Sequence, residues 1–178
     1  MAQTLVFDEE GNRFESFISL FPEMMVTLGT TLCSFRDGVL WTHDNEPYYN
    51  NFFGVQYNSH ITPVFNKDQI DKKSFLTIEE RASQVWDCPE IVTSSNSFGS
   101  TKQASNLIVN DFEELESNFN AAFLGASNSI GGVIEGDSLK GNTMTVKLRA
   151  IIPDPPNNIL VSLSSVEVSS IPSPKNLR

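Results

Sequence analysis

The dipeptide Asp37-Gly38 limits the fold of this chain more than any other feature. It lies between the segments TLCSF and VLWTHD, in which successive side chains alternate between two faces. A two-residue turn between antiparallel strands needs positive φ at both central residues, and Asp-Gly is a pair that accepts this geometry. We therefore predict a tight β-hairpin here, with Asp37 and Gly38 as structural turn residues.

Similar strand-and-turn patterns extend along the chain. TLVFD and RFESFISLF flank the polar turn EEGN, which predicts a hairpin over residues 4–21. The second arm carries Phe14 and Ile18 on one face and Phe17 and Phe21 on the other, so we expect this strand to be covered on both sides. The segment TMTVKLRAII also alternates, with one face formed by Met144, Val146 and Leu148.

Residues 110–124, NDFEELESNFNAAFL, leave two alternatives open. An apolar stripe at helical spacing predicts an amphipathic helix capped by Asn110 or Asp111. A turn at ESN with a strand on either side predicts a hairpin instead. Periodicity favours the helix, whereas the resemblance described below favours the hairpin, which we slightly prefer.

Together these patterns predict the fold class. The chain has 178 residues, enough for one domain that buries about two-thirds of its extended surface. We predict a mainly β protein, an antiparallel sandwich or barrel-like domain with hairpins and at most one or two short helices. Residues 1–171 are expected to form this single domain, and residues 172–178 a C-terminal tail.

Charge and cysteine usage exclude several classes of protein. Twelve Lys and Arg against 22 Asp and Glu give a net charge of −10, which is opposite to the basic face that nucleic-acid binding needs. The N-terminus has no basic start followed by an apolar run, so we expect no secretory signal, and no apolar run is long enough to span a bilayer. Cys33 and Cys88 are expected to be buried, reduced thiols and not a disulfide.

Catalytic and metal-binding patterns are weak. His43 and His60 are the two histidines, with Asp44 and Ser59 as neighbours, but the motifs G-x-S-x-G and H-E-x-x-H do not occur. Acidic residues at predicted turns could imitate a hydrolase carboxylate pair, and the glycine-rich segment GGVIEGD does not match a calcium or phosphate loop. We predict no enzyme activity, no cofactor and no metal. The acidic residues concerned are Asp8, Glu9, Glu10 and Asp44.

The aromatic stretch YYNNFFGVQYNSHITPVFN, residues 48–66, reads as a turn followed by a strand. Gly54 is assigned as a turn residue, and the aromatic side chains are expected to fill a core or a contact between subunits. The Ser- and Gly-rich loop SSNSFGSTKQAS presents one large apolar side chain, which is expected to become ordered on contact with a partner. The predicted interface residues are Phe98, Tyr48, Tyr49, Phe52 and Phe53.

Six segments in a fixed order resemble a family of phage virion proteins. They are DEEGNRFESFISLFPEMM, SFRDGVLWTHDN, NNFFGVQYNSHITPVFN, FLTIEE with VWDCPEI, NDFEELESNFNAAFLG and GDSLKGNTMTVKL. These segments are similar in sequence to the tail stabilisation or muzzle proteins of crAss-like phages that infect Bacteroidetes. Phe14 stands where the family usually has Trp, and NNFFG replaces NNFYG, which are conservative departures.

The resemblance implies a non-enzymatic structural component of a phage tail, such as a ring, hub, stabilisation or muzzle element. Its partners would be other tail or portal-vertex proteins, in a homo-oligomeric ring or a hetero-oligomeric tail, with no specific nucleic acid and no membrane. Its location would be the virion tail, after assembly in the host cytoplasm. The alternative is a carbohydrate-binding β-sandwich that recognises a host-surface glycan through Tyr48, Tyr49, Trp41 or Trp86.

Overall fold

The computed structural model describes residues 4–43, 49–67, 70–94, 102–126, 137–152 and 161–173. Within these ranges the structure is almost entirely antiparallel β-strands and turns, with a single 3-10 turn at Val109–Asp111. The predicted mainly β class is therefore confirmed. Contacts divide the chain into two compact units: unit 1 contains residues 1–58 and 152–159, and unit 2 contains residues 59–151 and 160–178.

Unit 1 consists of short hairpins and ribbons. Its three small sheets are the pair β1–β2, the triplet β3–β4–β5 and the pair β6–β7. Among its described residues, Leu20, Cys33 and Ser34 are buried. The strands are β1 Thr4–Asp8, β2 Arg13–Ile18, β3 Met24–Leu28, β4 Thr31–Arg36, β5 Val39–Thr42, β6 Asn51–Phe52 and β7 Val55–Gln56.

The first hairpin is present, but its second strand is not covered on both sides as we expected. β1 pairs with β2 from Thr4↔Ile18 to Asp8↔Arg13, with a bulge opposite the step from Val6 to Phe7. The bulge adds one residue to β2 and changes which of its side chains share a face. Phe14 and Phe17 are therefore on the same face of the hairpin, and both are exposed.

The second hairpin joins β4 and β5 through Asp37 and Gly38. Arg36 pairs with Val39 across the turn, and φ is 53° at Asp37 and 74° at Gly38. Positive φ at both positions is the geometry of the two-residue hairpin turn that matches strand twist.

Replacing Gly38 by Val is expected to destabilise this hairpin by roughly 1–2 kcal/mol, because a β-branched side chain is strained at positive φ. No atom lies within 4 Å of the position that a Cβ would take at Gly38, so the cost comes from the backbone and not from a clash. Gly38→Asn is the matched control, since Asn tolerates this conformation. Equal thermal stability of the two variants would contradict the role of the turn.

Unit 2 is built from two five-stranded antiparallel sheets. One has the order β13–β14–β10–β15, with β17 also paired to β10; the other has the order β12–β11–β16–β8, with β9 also paired to β16. The strands are β8 Ser59–Ile61, β9 Val64–Phe65, β10 Lys73–Ala82, β11 Asp87–Thr93, β12 Ala104–Leu107, β13 Glu113–Leu115, β14 Asn118–Ala122, β15 Lys140–Gly141, β16 Met144–Ala150 and β17 Leu163–Pro172.

The two sheets of unit 2 share one hydrophobic core. Phe75 and Ile78 from β10 belong to the same buried cluster as Ile91 from β11 and Leu148 from β16. Side chains that two sheets contribute to a common core are the defining feature of a sandwich. The described residues form no closed barrel. Among the fully buried members of the core are Ile78, Cys88, Ile91, Leu107, Met144, Val146 and Leu148.

The structure decides the two sequence patterns of unit 2, the alternation of β16 and the segment 110–124. β16 alternates between buried and half-buried residues along its whole length, with Met144, Val146 and Leu148 inside, as predicted. The segment 110–124 forms a hairpin and not a helix: Leu115 pairs with Asn118 around a turn at Glu116 and Ser117. Glu116 and Ser117 both have positive φ, so they form a two-residue hairpin turn like that of Asp37 and Gly38 in unit 1.

The single domain that the sequence predicts over residues 1–171 stays a prediction. β17 ends at Pro172 and the described part of the chain ends at Ser173, so the predicted tail over residues 172–178 lies mostly outside the described residues.

Candidate assembly surface

An aromatic cluster in unit 1 surrounds Phe53. The ring centroid of Phe53 lies 5.6 Å from that of Trp41 and 5.9 Å from that of His43, both in edge-to-face geometry. The guanidinium carbon of Arg36 lies 4.7 Å from the Phe53 ring centroid, within the range of a cation–π contact. The cluster therefore ties the β6–β7 hairpin to the β3–β4–β5 sheet within unit 1.

The backbone of Phe53 explains why these contacts are needed. Phe53 and Gly54 form the turn between β6 and β7, with φ of 55° and 75°. Positive φ in a bulky non-glycine residue costs about 1–3 kcal/mol and persists only where its surroundings enforce it. Gly54 meets the same backbone requirement without strain.

The other predicted interface residues have different environments. Tyr49 is exposed, whereas the half-buried ring of Phe52 lies 6.1 Å from the ring of Tyr57 within unit 1. Tyr48 and Phe98 lie outside the described residues. Tyr49 therefore presents a free aromatic surface, while Phe52 and Phe53 also contribute contacts inside unit 1, and a role for all five in an interface stays a prediction.

The sequence did not identify the most exposed aromatic surface among the described residues. Leu5 pairs with Phe17 and Phe7 with Phe14 across the first hairpin, so all four side chains lie on one face. The rings of Phe7 and Phe14 are 5.1 Å apart in edge-to-face geometry. The side chains are 43% to 67% exposed. We name this set, Leu5, Phe7, Phe14 and Phe17, the hairpin face.

Unit 2 contains a buried carboxyl group that the sequence did not identify either. Glu80 shares the inner face of β10 with Ile78, and its side chain has no exposed surface. The backbone N–H of Trp86 donates to Glu80 Oε2 at 3.0 Å, and the Cys88 thiol lies 4.0 Å from Oε1.

The surroundings of Glu80 make it a weak acid. Burial raises the pKa of Glu80 to about 7, the Trp86 hydrogen bond acts in the opposite direction, and the charge of Asp87 raises the pKa further. A carboxyl that titrates near neutrality resembles a general acid or base. However, the side chain is fully enclosed, so a substrate cannot reach it in this structure.

The neighbouring Asp87 is paired. Arg149 donates to Asp87 through Nε at 3.1 Å and through Nη2 at 2.5 Å, and this two-point contact raises the pKa of the Arg149 guanidinium. The pair joins β11 to β16, where Asp87 and Arg149 are register partners. The guanidinium of Arg149 balances the negative charge of the Asp87 carboxylate, which is buried.

The two histidines lie in separate environments, His43 in unit 1 and His60 in unit 2. His43 Nε2 lies 2.7 Å from Ser34 Oγ, and its backbone N–H donates to Leu32. Ser34 is fully buried, so it cannot attack a substrate. His60 lies in β8 opposite Arg149, and Asp8 forms an ion pair with Arg13, while Asp44 lies outside the described residues. Within the described ranges, no group of three or more His, Cys, Asp or Glu could hold a metal ion.

The cysteines are expected to resist modification in the native chain. Cys33 and Cys88 are free and buried, and burial raises the pKa of the Cys88 thiol, with the charges of Glu80 and Asp87 adding to the effect. A maleimide should therefore label both slowly until denaturant is added, because the reactive species is the exposed thiolate. Mass spectrometry of the native chain checks this, since a mass two hydrogens lower would indicate a disulfide instead.

The glycan alternative is not favoured by the geometry. Trp86 is buried, and the ring of Trp41 packs against Phe53. Stacking on a sugar needs an accessible aromatic face, which Tyr49 alone offers among the described members of that set.

The described residues form a β-rich structure with many exposed apolar side chains on its surface. In the described part of the chain, no helix is long and apolar enough to cross a membrane. Residues 47–129 match the model of a known family, the Crassvirus muzzle protein C-terminal domain. No curated protein matches the chain. The resemblance to the muzzle proteins of crAss-like phages is therefore confirmed, and it indicates a structural, tail-related role.

Proposed function

We propose that this chain is a non-enzymatic structural component of a bacteriophage tail that acts through protein–protein assembly. The observation that carries the proposal is the match of residues 47–129 to the Crassvirus muzzle protein C-terminal domain. A muzzle, ring, hub or stabilisation element would be built into the tail together with other tail or portal-vertex proteins.

The distribution of apolar surface supports an assembly role. Unit 1 leaves many large hydrophobic side chains exposed, among them Leu5, Phe7, Phe14, Phe17, Met24, Met25, Leu28, Val39 and Leu40. Single exposed apolar residues are normal, but a concentration of them on a small unit with few buried residues marks a contact surface. In a tail, neighbouring subunits would cover this surface.

The net charge of −10 fits a tail that DNA passes through. An acidic surface repels the phosphate backbone, so DNA would pass without being retained. Like-charge repulsion also keeps subunits soluble until specific contacts form.

The location of the chain in a purified phage particle tests this function. A cryo-electron microscopy map should place the chain in the tail in a fixed number of copies, and antibodies against it should label the tail. A particle that lacks the chain would contradict the proposal. Glycan binding that depends on Tyr49 would favour the carbohydrate-binding alternative.

Phe98 is proposed as a further contact residue, on the sequence of its loop. The Phe98→Ser variant should leave the melting temperature of the isolated chain nearly unchanged and reduce its incorporation into tails, because a buried Phe contributes about 1.5–3 kcal/mol to a contact. A variant that unfolds the chain would assign Phe98 to a core.

A further inference from the structure

The first hairpin directs its more apolar face to solvent. Along β1, Leu5 and Phe7 are exposed while Thr4, Val6 and Asp8 are half-buried. A hairpin that met only its own unit and water would show the opposite arrangement, with the apolar residues inside. The inverted pattern therefore leaves the hairpin face uncovered by the described residues of unit 1 and available for contact.

The hairpin face has the size of a functional patch. Four side chains that are 43% to 67% exposed present roughly 400 Å² of apolar surface, if each large side chain can bury about 150–250 Å². Patches of this size on a monomer are often binding sites. The face also belongs to a two-stranded sheet, an arrangement that is only marginally stable by itself.

The bulge in β2 builds this face. Phe14 and Phe17 are three residues apart, so in a regular strand they would point to opposite sides. The extra residue, Glu15, brings both rings onto the side of Leu5 and Phe7. Glu15 itself is exposed, and its carboxylate lies 3.5 Å from Nη2 of Arg13.

The turn and the bulge that adjoin the hairpin face are acidic. The turn and the bulge carry four carboxylates, Asp8, Glu9, Glu10 and Glu15, and one guanidinium, Arg13. Arg13 is shared between Asp8 at 3.6 Å and Glu15 at 3.5 Å, which leaves an excess of negative charge.

We propose that the hairpin face docks on a different protein, whose surface is apolar at its centre and basic at its border. This inference rests on the proposed function and adds to it the chemistry of one partner. A second copy of this chain is a poor occupant, because two acidic borders would then meet and like charges at an interface cost affinity. A basic border would pair with the exposed carboxylates of Glu9, Glu10 and Glu15 and favour one orientation.

A pair of matched peptides tests this chemistry on the full-length chain. One fluorescent peptide alternates Leu and Lys, and the other alternates Leu and Glu at the same length. Fluorescence anisotropy should show binding of the Leu-Lys peptide at least about tenfold tighter than binding of the Leu-Glu peptide, with a preference that decreases as salt is added.

Two variants separate the apolar and the charged contributions. Phe14→Ser with Phe17→Ser should weaken binding of the Leu-Lys peptide by about tenfold or more, because the central aromatic contacts are removed. The matched control is Ile108→Ser with Leu115→Ser, which removes two similarly exposed apolar side chains of unit 2 and should bind like the wild type. Replacing Glu9, Glu10 and Glu15 by Lys leaves the rings in place and should invert the preference between the peptides.

Several outcomes would overturn the inference. Unchanged binding by the Phe variant, or an unchanged peptide preference after charge reversal, would show that the face does not select a basic partner. A circular dichroism spectrum lost in the Phe variant would assign the rings to a core. Concentration-dependent self-association that the Phe variant abolishes, seen by sedimentation equilibrium, would make a second copy the occupant. A particle map with the chain in the tail and these rings in solvent would refute the docking but leave the proposed function standing.

Discussion

At about pH 8 the Glu80→Gln variant is expected to be more stable than the wild-type chain by on the order of 3 kcal/mol. Near pH 4.5 the two should be about equally stable. The variant keeps the size of the side chain and an oxygen that can accept the Trp86 N–H, but it cannot ionise.

The direction of this stability difference follows from where the proton is bound. The pKa of Glu80 rises from 4.5 to about 7 on folding, so the folded chain holds this proton more tightly than the unfolded chain. The corresponding stability is fully present below pH 4.5 and is lost as the pH rises to about 7. Above that pH the folded wild type carries a buried carboxylate, whose desolvation the Gln variant avoids.

Urea unfolding at a series of pH values measures this difference. Titratable groups that do not interact with Glu80 are common to both proteins, so their contributions cancel when the two curves are subtracted. Glu90→Gln removes an exposed carboxylate of β11 and controls for the loss of one negative charge. If the curve for Glu80→Gln runs parallel to the wild-type curve from about pH 4.5 to 7, the burial of Glu80 in solution is refuted.

The sequence predicted the local features of the fold because these depend on nearby residues. The Asp37-Gly38 turn and the alternation of β16 follow from backbone sterics and from the two-residue period of a strand. The hairpin over residues 110–124 could be decided only by tertiary context, since its apolar spacing also fits a helix. Pairing with β10 holds β14 as a strand.

The sequence did not predict the hairpin face or the buried carboxyl, because both depend on pairing between segments. The bulge that aligns Phe14 with Phe17 exists only in the register with β1. The sequence EER around Glu80 is typical of polar, exposed side chains. Its burial follows from the side it shares with Ile78 and from the backbone N–H of Trp86.

Replacing Leu148 by Ala is expected to lower the free energy of unfolding of unit 2 by about 2–5 kcal/mol. Leu148 is fully buried in the core that both sheets of unit 2 share. Its removal leaves a cavity as well as a loss of apolar burial. The adjacent Lys147, half-buried on the other face of β16, provides the control, because Lys147→Ala should cost about 1 kcal/mol or less.

The two tryptophans make this experiment a test of domain organisation as well. Trp41 lies in unit 1 and Trp86 in unit 2, so a chain labelled with fluorotryptophan gives one ¹⁹F resonance for each unit. If residues 1–171 form a single domain, both resonances must change at the same urea concentration, and Leu148→Ala must shift both.

We expect two transitions instead. In the described part of unit 1 only Leu20, Cys33 and Ser34 are buried, and so small a core gives marginal stability. Leu148→Ala should therefore shift the Trp86 transition and leave the Trp41 transition in place. If the Trp41 and Trp86 transitions coincide in the wild type and in the Leu148→Ala variant, this expectation is refuted. Unit 1 would then take its stability from unit 2, and a docking partner on the hairpin face would stabilise the whole chain and not unit 1 alone.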